Sequence, residues 1–261
     1  MKVIDLFCGA GGFSEGFRQA GFTIVAGIDN WVRALQSFKR NFPNAEIIYK
    51  DIEYLKIDDL SKFDVLIGSP PCKEWSTGKG YNKRTLDYTL IKAFERIVKE
   101  INPKYWIWEN APDTIKYDGI EKYKGILNAY NFGVPQDRKR CFHSNFKLPI
   151  GNKKGKSLNE VFGWKGNKKL CHYRTLNTKA RSPFYLSNRQ ARTCVTWSIK
   201  IIKEGKVESE FTVDMMKKVM EFPDNFKFVG TDKEKFIQIG NAVCPPVAKA
   251  IAEQIKLFEV E

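Results

Sequence analysis

The chain has 261 residues, 43% of them hydrophobic, which suits one large α/β domain with a sizeable core and a small second lobe at most. No run of about 18 apolar residues occurs, so a membrane-spanning helix is not expected, and six scattered cysteines without a CxxC pair argue against a disulfide framework. The net charge of +14, from 44 basic and 30 acidic residues, points to a polyanionic partner, although a lysine-rich surface alone would produce the same excess.

In chain order, residues 2–7 read as a short apolar strand ending at a glycine cluster, and 14–20 as a helix closed by Gly21. The start, MKVIDLFCGAGG, lacks the apolar region of a signal peptide, so a cytoplasmic location is expected. A second strand, 23–28, leads to Asp29. A helix over 32–41 stops at Pro43. A third strand, 46–49, leads to Asp51, and a fourth, 63–68, to Pro70-Pro71-Cys72. Residues 86–101 carry helical spacing through Leu90, Phe94, Ile97 and Ile101, and a fifth strand, 105–108, leads to Glu109-Asn110. This alternation predicts a doubly wound, mostly parallel sheet. Asp29, Asp51, Cys72 and Glu109 then share its carboxyl edge, where ligands bind in open α/β sheets. From about 151 to 203 the alternation stops and basic residues dominate. A final helix begins at Pro245-Pro246, prolines being suited to a first helical turn.

Each motif has a chemical and a bland reading. Asp5-Leu6-Phe7-Cys8-Gly9-Ala10-Gly11-Gly12-Phe13 is a strand, a glycine turn and a helix start, where backbone can approach a ligand; it could equally be only a tight turn. Asp29 can accept from a ribose diol and Asp51 from an adenine amine, and the two in order after a glycine turn favour an adenosyl ligand. Two prolines before Cys72 stiffen the backbone carrying a thiol, the strongest common side-chain nucleophile once ionised; an inert cysteine is the alternative. Burial of Glu109 would raise its pKa and let it hold a proton. Gln136-Asp137-Arg138-Lys139-Arg140 is a dense run of donors, or a solvated loop.

Taken together in this order, the segments DLFCGAGGF, SPPC, ENAP, GVPQ, QDRKR, FPDNF and IGNAV resemble the DNA cytosine-C5 methyltransferase family over nearly all of 1–143 and 211–258. The resemblance implies S-adenosylmethionine as cofactor and S-adenosylhomocysteine as product. It implies that Phe7, Gly9, Ala10, Gly11, Gly12, Asp29, Asn30, Asp51, Ile52, Pro71, Leu90, Asn241 and Ala242 line the cofactor pocket. Cys72 would be the nucleophile attacking cytosine C6, Glu109 would contact N3 of the base, and Arg138 and Arg140 would hold the base and the catalytic loop. Double-stranded DNA is the implied partner, bound by a monomer that flips the target base out, with a restriction endonuclease as counterpart in the same system. No metal is implied. Cys141, His143, Cys171 and His172 fit no standard zinc spacing.

Departures from the family pattern shape further expectations. Asn30 stands where a large hydrophobe usually stacks on adenine, so Ile28 or Trp31 is expected to serve instead, and KEWS follows the nucleophile where QxFS is commoner. The catalytic domain is expected to span 1–143 and 206–261, with a target-recognition lobe at 144–205. In that lobe Lys153, Lys154 and Lys168 would meet phosphates and Arg174, Arg181, Arg189 and Arg192 would contact DNA, some reading guanines. Its brevity predicts a recognition site of about two to four base pairs, or a degenerate one. A tRNA-methylating branch of the family is the nearest rival; its Cys-Phe-Thr stretch is not found, Cys141-Phe142-His143 being only superficially similar. A silent DNA-binding subunit is the rival from another class, but the nucleophile, the acid and the motifs are all retained.

Overall fold

A computed structural model describes residues 1–56, 58, 60, 62–71, 73–75, 85–156, 158–162, 184–185, 199–203, 206–210 and 212–259. Cys72, Lys168, Arg174, Arg181, Arg189 and Arg192 lie outside the described residues, as do Cys171 and His172.

The first half builds β1 (Lys2–Leu6), α1 (Gly12–Gln19), β2 (Thr23–Asp29), α2 (Val32–Asn41), β3 (Glu46–Tyr49) and β4 (Val65–Gly68). A short antiparallel pair follows, β5 (Lys73–Trp75) with β6 (Thr85–Asp87), then α3 (Thr89–Ile101) and β7 (Tyr105–Asn110). The helix expected from residue 86 starts later because 85–87 pair as a strand and the Asp87 carboxylate accepts from the Thr89 N–H at 2.9 Å. Next come β8 (Tyr123–Asn128) and β9 (Lys139–Ser144), neither of which was expected.

These strands form a seven-stranded sheet in the order β3-β2-β1-β4-β7-β9-β8, parallel except for β9, which runs antiparallel to both neighbours. The predicted doubly wound, mostly parallel sheet is therefore found. Its central strands β1, β4 and β7 are buried on both faces, as parallel strands generally are. Val3, Val65 and Ile67 point to one core with Phe17, Phe38 and Ile251, while Ile4, Leu6 and Leu66 point to another with Phe94, Trp106 and Trp108. The order reverses between β1 and β4, so their carboxyl ends flank the crevice where such sheets bind ligands.

The remaining elements are α4 (Leu158–Phe162), β10 (Phe184–Tyr185), β11 (Ile199–Lys203), β12 (Lys206–Glu210), α5 (Val213–Val219), α6 (Asp232–Asn241) and α7 (Pro245–Phe258). The strands β10, β11 and β12 make a separate three-stranded sheet. Among the described residues, no helix is long and apolar enough to cross a membrane. The segment after Ser144 stays on the main body. The Asn145 side-chain oxygen accepts from the Trp106 N–H at 2.9 Å, and Phe146 is buried edge-on against Tyr105 and Phe258. Lys153 exchanges backbone hydrogen bonds with Asn131 and Gly133, both at 2.8 Å.

Candidate active site

The glycine turn leaves β1 through Phe7, whose φ of 58° is unusual for a residue with a side chain, a strain that marks functional turns. Gly9 follows at φ 54° with nothing within 4 Å of where a Cβ would stand, so a ligand can approach its backbone. Gly11, at φ 97°, is the N-cap of α1 and supplies no side-chain cap. Gly12 is packed from behind: a Cβ there would lie 2.6 Å from the Val243 carbonyl and 2.8 Å from the Ala242 methyl. The IGNAV segment therefore backs directly onto the glycine turn.

Asp29, the last residue of β2, accepts from the Gly9 N–H and from the Trp31 N–H, each at 2.8 Å. Burial pushes its carboxyl up, against the opposing pull of those donors. Asp51 accepts from the Glu53 N–H at 3.1 Å and faces the Asn30 amide at 3.4 Å. Phe7, Gly9, Asp29, Asp51 and Leu90 are half-buried, Asn30, Pro71 and Asn241 are exposed, and Ala242 is half-buried. Ala10 and Ile52 are buried. Of the two residues expected to replace the missing stacking hydrophobe, Ile28 is enclosed in the core beneath the sheet, whereas Trp31 is half-buried at the start of α2.

The second half of the site is built by β7 and β9. Glu109 is buried at the end of β7, where the Arg140 Nε lies 3.1 Å from its Oε1 and the Ser69 hydroxyl is its hydrogen-bond partner. Burial raises its pKa; Arg140, Arg138 and Ser69 pull the other way. The next residue, Asn110, donates from Nδ2 to the Pro70 carbonyl at 2.8 Å. Two consecutive polar side chains thus hold the Ser69-Pro70 segment from the neighbouring strand. The role of Asn110 was not foreseen, although a buried amide after the apolar YWIW run was a visible signal.

Arg138 and Arg140 have separate places. Arg140 faces Glu109. Arg138 is buried and donates from Nη2 to the carbonyls of Gly240, at 2.8 Å, and Ala242, at 3.1 Å, while its Nε and Nη1 have no protein partner. Burial lowers its pKa to about 10. Arg138 thereby ties the start of β9 to the segment behind Gly12, joining the two halves of the site. Lys153 and Lys154 are exposed on the turn packed beside 131–134, and the Lys153 stem would contact a Cβ at Gly133 at 3.1 Å.

A family profile described as C-5 cytosine-specific DNA methylase matches residues 1–162 and 143–257. The chain belongs to this family. It is 30% identical to the Type II methyltransferase M.HindV of Haemophilus influenzae, covering 100% of this chain and 98% of that protein. It is 29% identical to the Type II methyltransferase M.FnuDI of Fusobacterium nucleatum, covering 98% and 94% respectively. The fold is similar to a protein described as a DNA modification methyltransferase encoded within an Escherichia coli prophage, with a TM-score of 0.74, 20% identity and full coverage of both chains. It is also similar to DNMT2 of Spodoptera frugiperda, with a TM-score of 0.68, 19% identity and 99% coverage of each chain. The enzyme is thus a DNA (cytosine-5-)-methyltransferase by family. Its alignment to M.HindV spans 304 positions although this methyltransferase has only 261 residues, so the relative carries segments that this one lacks.

Proposed function

We propose that this methyltransferase transfers a methyl group from S-adenosylmethionine to C5 of cytosine in double-stranded DNA, with Cys72 as nucleophile. The observation that carries the reading is the placement of Glu109: a buried carboxyl, bridged by Arg140, beside the Ser69-Pro70 segment that leads into Cys72. The cofactor fits the residues present. The open space over Gly9 admits a ligand against the backbone, Asp29 is partly accessible for a ribose, and Asp51 and the half-buried Trp31 stand beside it. When bound, S-adenosylmethionine supplies an electrophilic methyl group on a sulfonium.

Cytosine C5 is too weak a nucleophile to take that group unaided. The Cys72 thiolate adds to C6, and the electron pair of the C5–C6 double bond becomes available at C5 as N3 gains a hydrogen bond or proton from Glu109. Burial lets Glu109 hold that proton at higher pH than an ordinary carboxyl. After methylation, loss of the C5 proton to a base returns its electron pair to the C5–C6 bond and expels the thiolate. Arg140 holds Glu109 in place and would contact the base. Cytosine C6 is hidden in the duplex, so the target must be flipped out.

The recognition lobe is assigned to 144–205, its first residues tied to the main body by Asn145 at Trp106 and Lys153 at Asn131 and Gly133. Lys153, Lys154 and Lys168 are assigned to phosphates, and Arg174, Arg181, Arg189 and Arg192 to DNA contacts. The short lobe would read a short or degenerate site. The Type II relatives support a modification enzyme with a restriction endonuclease counterpart; as proposed, it acts as a monomer. Expression in a host followed by bisulfite sequencing tests the activity, the base and the site together. A duplex carrying 5-fluorocytosine should trap the wild-type protein covalently but not Cys72→Ser. Normal methylation by that variant would refute the covalent route.

A further inference from the structure

The strands β4 and β7 pair in parallel with Gly68 opposite Trp108, so the residues one step further along, Ser69 and Glu109, leave the sheet side by side. The backbone of Ser69 is fixed on both sides. Its N–H donates to the Leu6 carbonyl of β1 at 3.2 Å, and the Pro70 carbonyl that follows accepts from the Asn110 amide at 2.8 Å. Gly68 before it is closely packed, since a Cβ there would lie 2.8 Å from the Phe94 ring and 2.9 Å from the Leu6 carbonyl. Pro70 and Pro71 have no N–H to donate. With the Ser69 N–H spent on β1, the Ser69 hydroxyl is the one donor that residues 69–71 can turn toward a carboxylate, and its partner is Glu109. A hydroxyl carried on so constrained a backbone fixes the direction from which that carboxyl is met.

We propose that Ser69 is a positioning residue for the reaction: through its hydroxyl, the segment that leads into Cys72 orients the Glu109 carboxyl, so that nucleophile and acid are aligned as one unit. The inference rests on the roles of Cys72 and Glu109 proposed above and adds the residue that aligns them. Arg140 reaches Oε1 of Glu109 from β9 at 3.1 Å, and Ser69 reaches the same carboxyl from the segment before the nucleophile. Asn110 fastens that segment to β7, whereas Ser69 fastens it to the reacting carboxyl itself. The other charged or titratable groups around Glu109 are Arg138 and the buried thiols of Cys141 on β9 and Cys244 just ahead of α7. Burial raises the Glu109 pKa, and Arg140, Arg138 and the Ser69 hydroxyl oppose the rise, because each favours the ionised carboxyl. Loss of the hydroxyl therefore has two effects: the carboxyl turns more freely, and it keeps its proton to higher pH.

The test combines single-turnover methylation of duplex DNA with an infrared titration of the full chain. The protonated Glu109 carboxyl is read from its C=O band, identified as the band that Glu109→Gln lacks. Ser69→Ala should slow single-turnover methylation roughly 10- to 100-fold, the scale expected when a reacting group loses its alignment, and leave S-adenosylmethionine affinity unchanged. Its Glu109 band should persist to higher pH than in the wild type and shift in frequency, because the carboxyl has lost a hydrogen bond. A merely structural Ser69 would lower stability without moving that titration. Ser69→Thr, which keeps the hydroxyl, should restore both the rate and the titration. Ser69→Cys, which offers only a weak donor, should follow the Ala variant, and it decides the matter if the Ala variant does not fold. A Glu109 titration that matches the wild type in either hydroxyl-free variant, or an unchanged single-turnover rate, would overturn the positioning role while leaving the proposed mechanism intact. Methylation by Glu109→Gln at the wild-type rate would instead overturn the acid role on which the inference rests.

Discussion

The Arg140 Nε lies 3.1 Å from Oε1 of Glu109, an ion pair in which the carboxylate is buried and the guanidinium half-buried. Arg140 favours the ionised form of Glu109, and burial favours the protonated form. If the protonated carboxyl serves N3, activity is lost as pH rises through the raised Glu109 pKa. Arg140→Met removes the opposing charge, so the alkaline limb of kcat/KM should move to higher pH even as the rate falls. Glu109→Gln should abolish that limb and slow turnover by roughly 10²- to 10⁴-fold. Rate profiles of the two variants, measured with saturating cofactor, check this; an unmoved limb in Arg140→Met would remove Glu109 from the acid role.

Asn110 anchors the Pro70 carbonyl from the adjacent strand. Asn110→Ala leaves that buried carbonyl without its side-chain donor, at a cost of about 1–3 kcal/mol. Because the anchor lies two residues before Cys72, single-turnover methylation should slow more than tenfold, a loss on the order of that bond's energy, while cofactor affinity changes little. Denaturant unfolding and rapid-quench kinetics measure the two effects separately. Unchanged kinetics in a destabilised variant would leave Asn110 with only a structural role.

Two glycines should fail in different ways. A Cβ on Gly16 would lie 2.3 Å from the Ala248 methyl and 2.4 Å from the Pro245 carbonyl, where α1 meets α7. The helix-propensity gain of Gly→Ala, about 1 kcal/mol, is outweighed by overpacking, so Gly16→Ala should destabilise by about 1–3 kcal/mol net. Gly9→Ala meets no atom, and its φ of 54° costs about 1–2 kcal/mol. Its methyl enters the ligand space, however, so cofactor affinity should fall by more than stability does. Thermal unfolding with and without cofactor separates the pair.

Asp5 links stability to pH. Its native pKa of about 7 lies above the ordinary carboxylate value of 3.8, so the folded state holds the proton more tightly than the unfolded chain. The stability this contributes is complete below about pH 4 and is lost as pH rises through about 7, on the order of a few kcal/mol. Asp5→Asn cannot lose a proton. Relative to the wild type, its unfolding free energy should therefore improve steadily from about pH 4 to about pH 8. A gap between the two proteins that is independent of pH would contradict the assignment.

The amino-acid sequence by itself determined the parallel half of the sheet and the placing of chemistry along one edge. Runs such as KVIDL and VLIG carry their signal locally, because a strand buried on both faces is apolar throughout. The order of motifs likewise marked Asp29, Asp51, Glu109, Arg138 and Arg140 before any contact was known. One further local signal went unused: Thr231 and Glu234 form a capping box that opens α6. The strand β9 was hidden for a different reason. Its sequence KRCFHS reads as polar, yet His143 and Ser144 are buried, His143 stacked 3.9 Å from Trp108 and Ser144 bonded to the Phe146 carbonyl at 2.6 Å. Only tertiary structure brings those partners together. The same holds for the division of labour between the two arginines, two residues apart in one motif. Arg138 turns inward because the Gly240 and Ala242 carbonyls, about a hundred residues later, need a donor. Arg140 meets a carboxylate that comes from another strand. A pattern in sequence can state which groups are available; which partner each one finds depends on contacts between segments that are distant along the chain and adjacent only after folding.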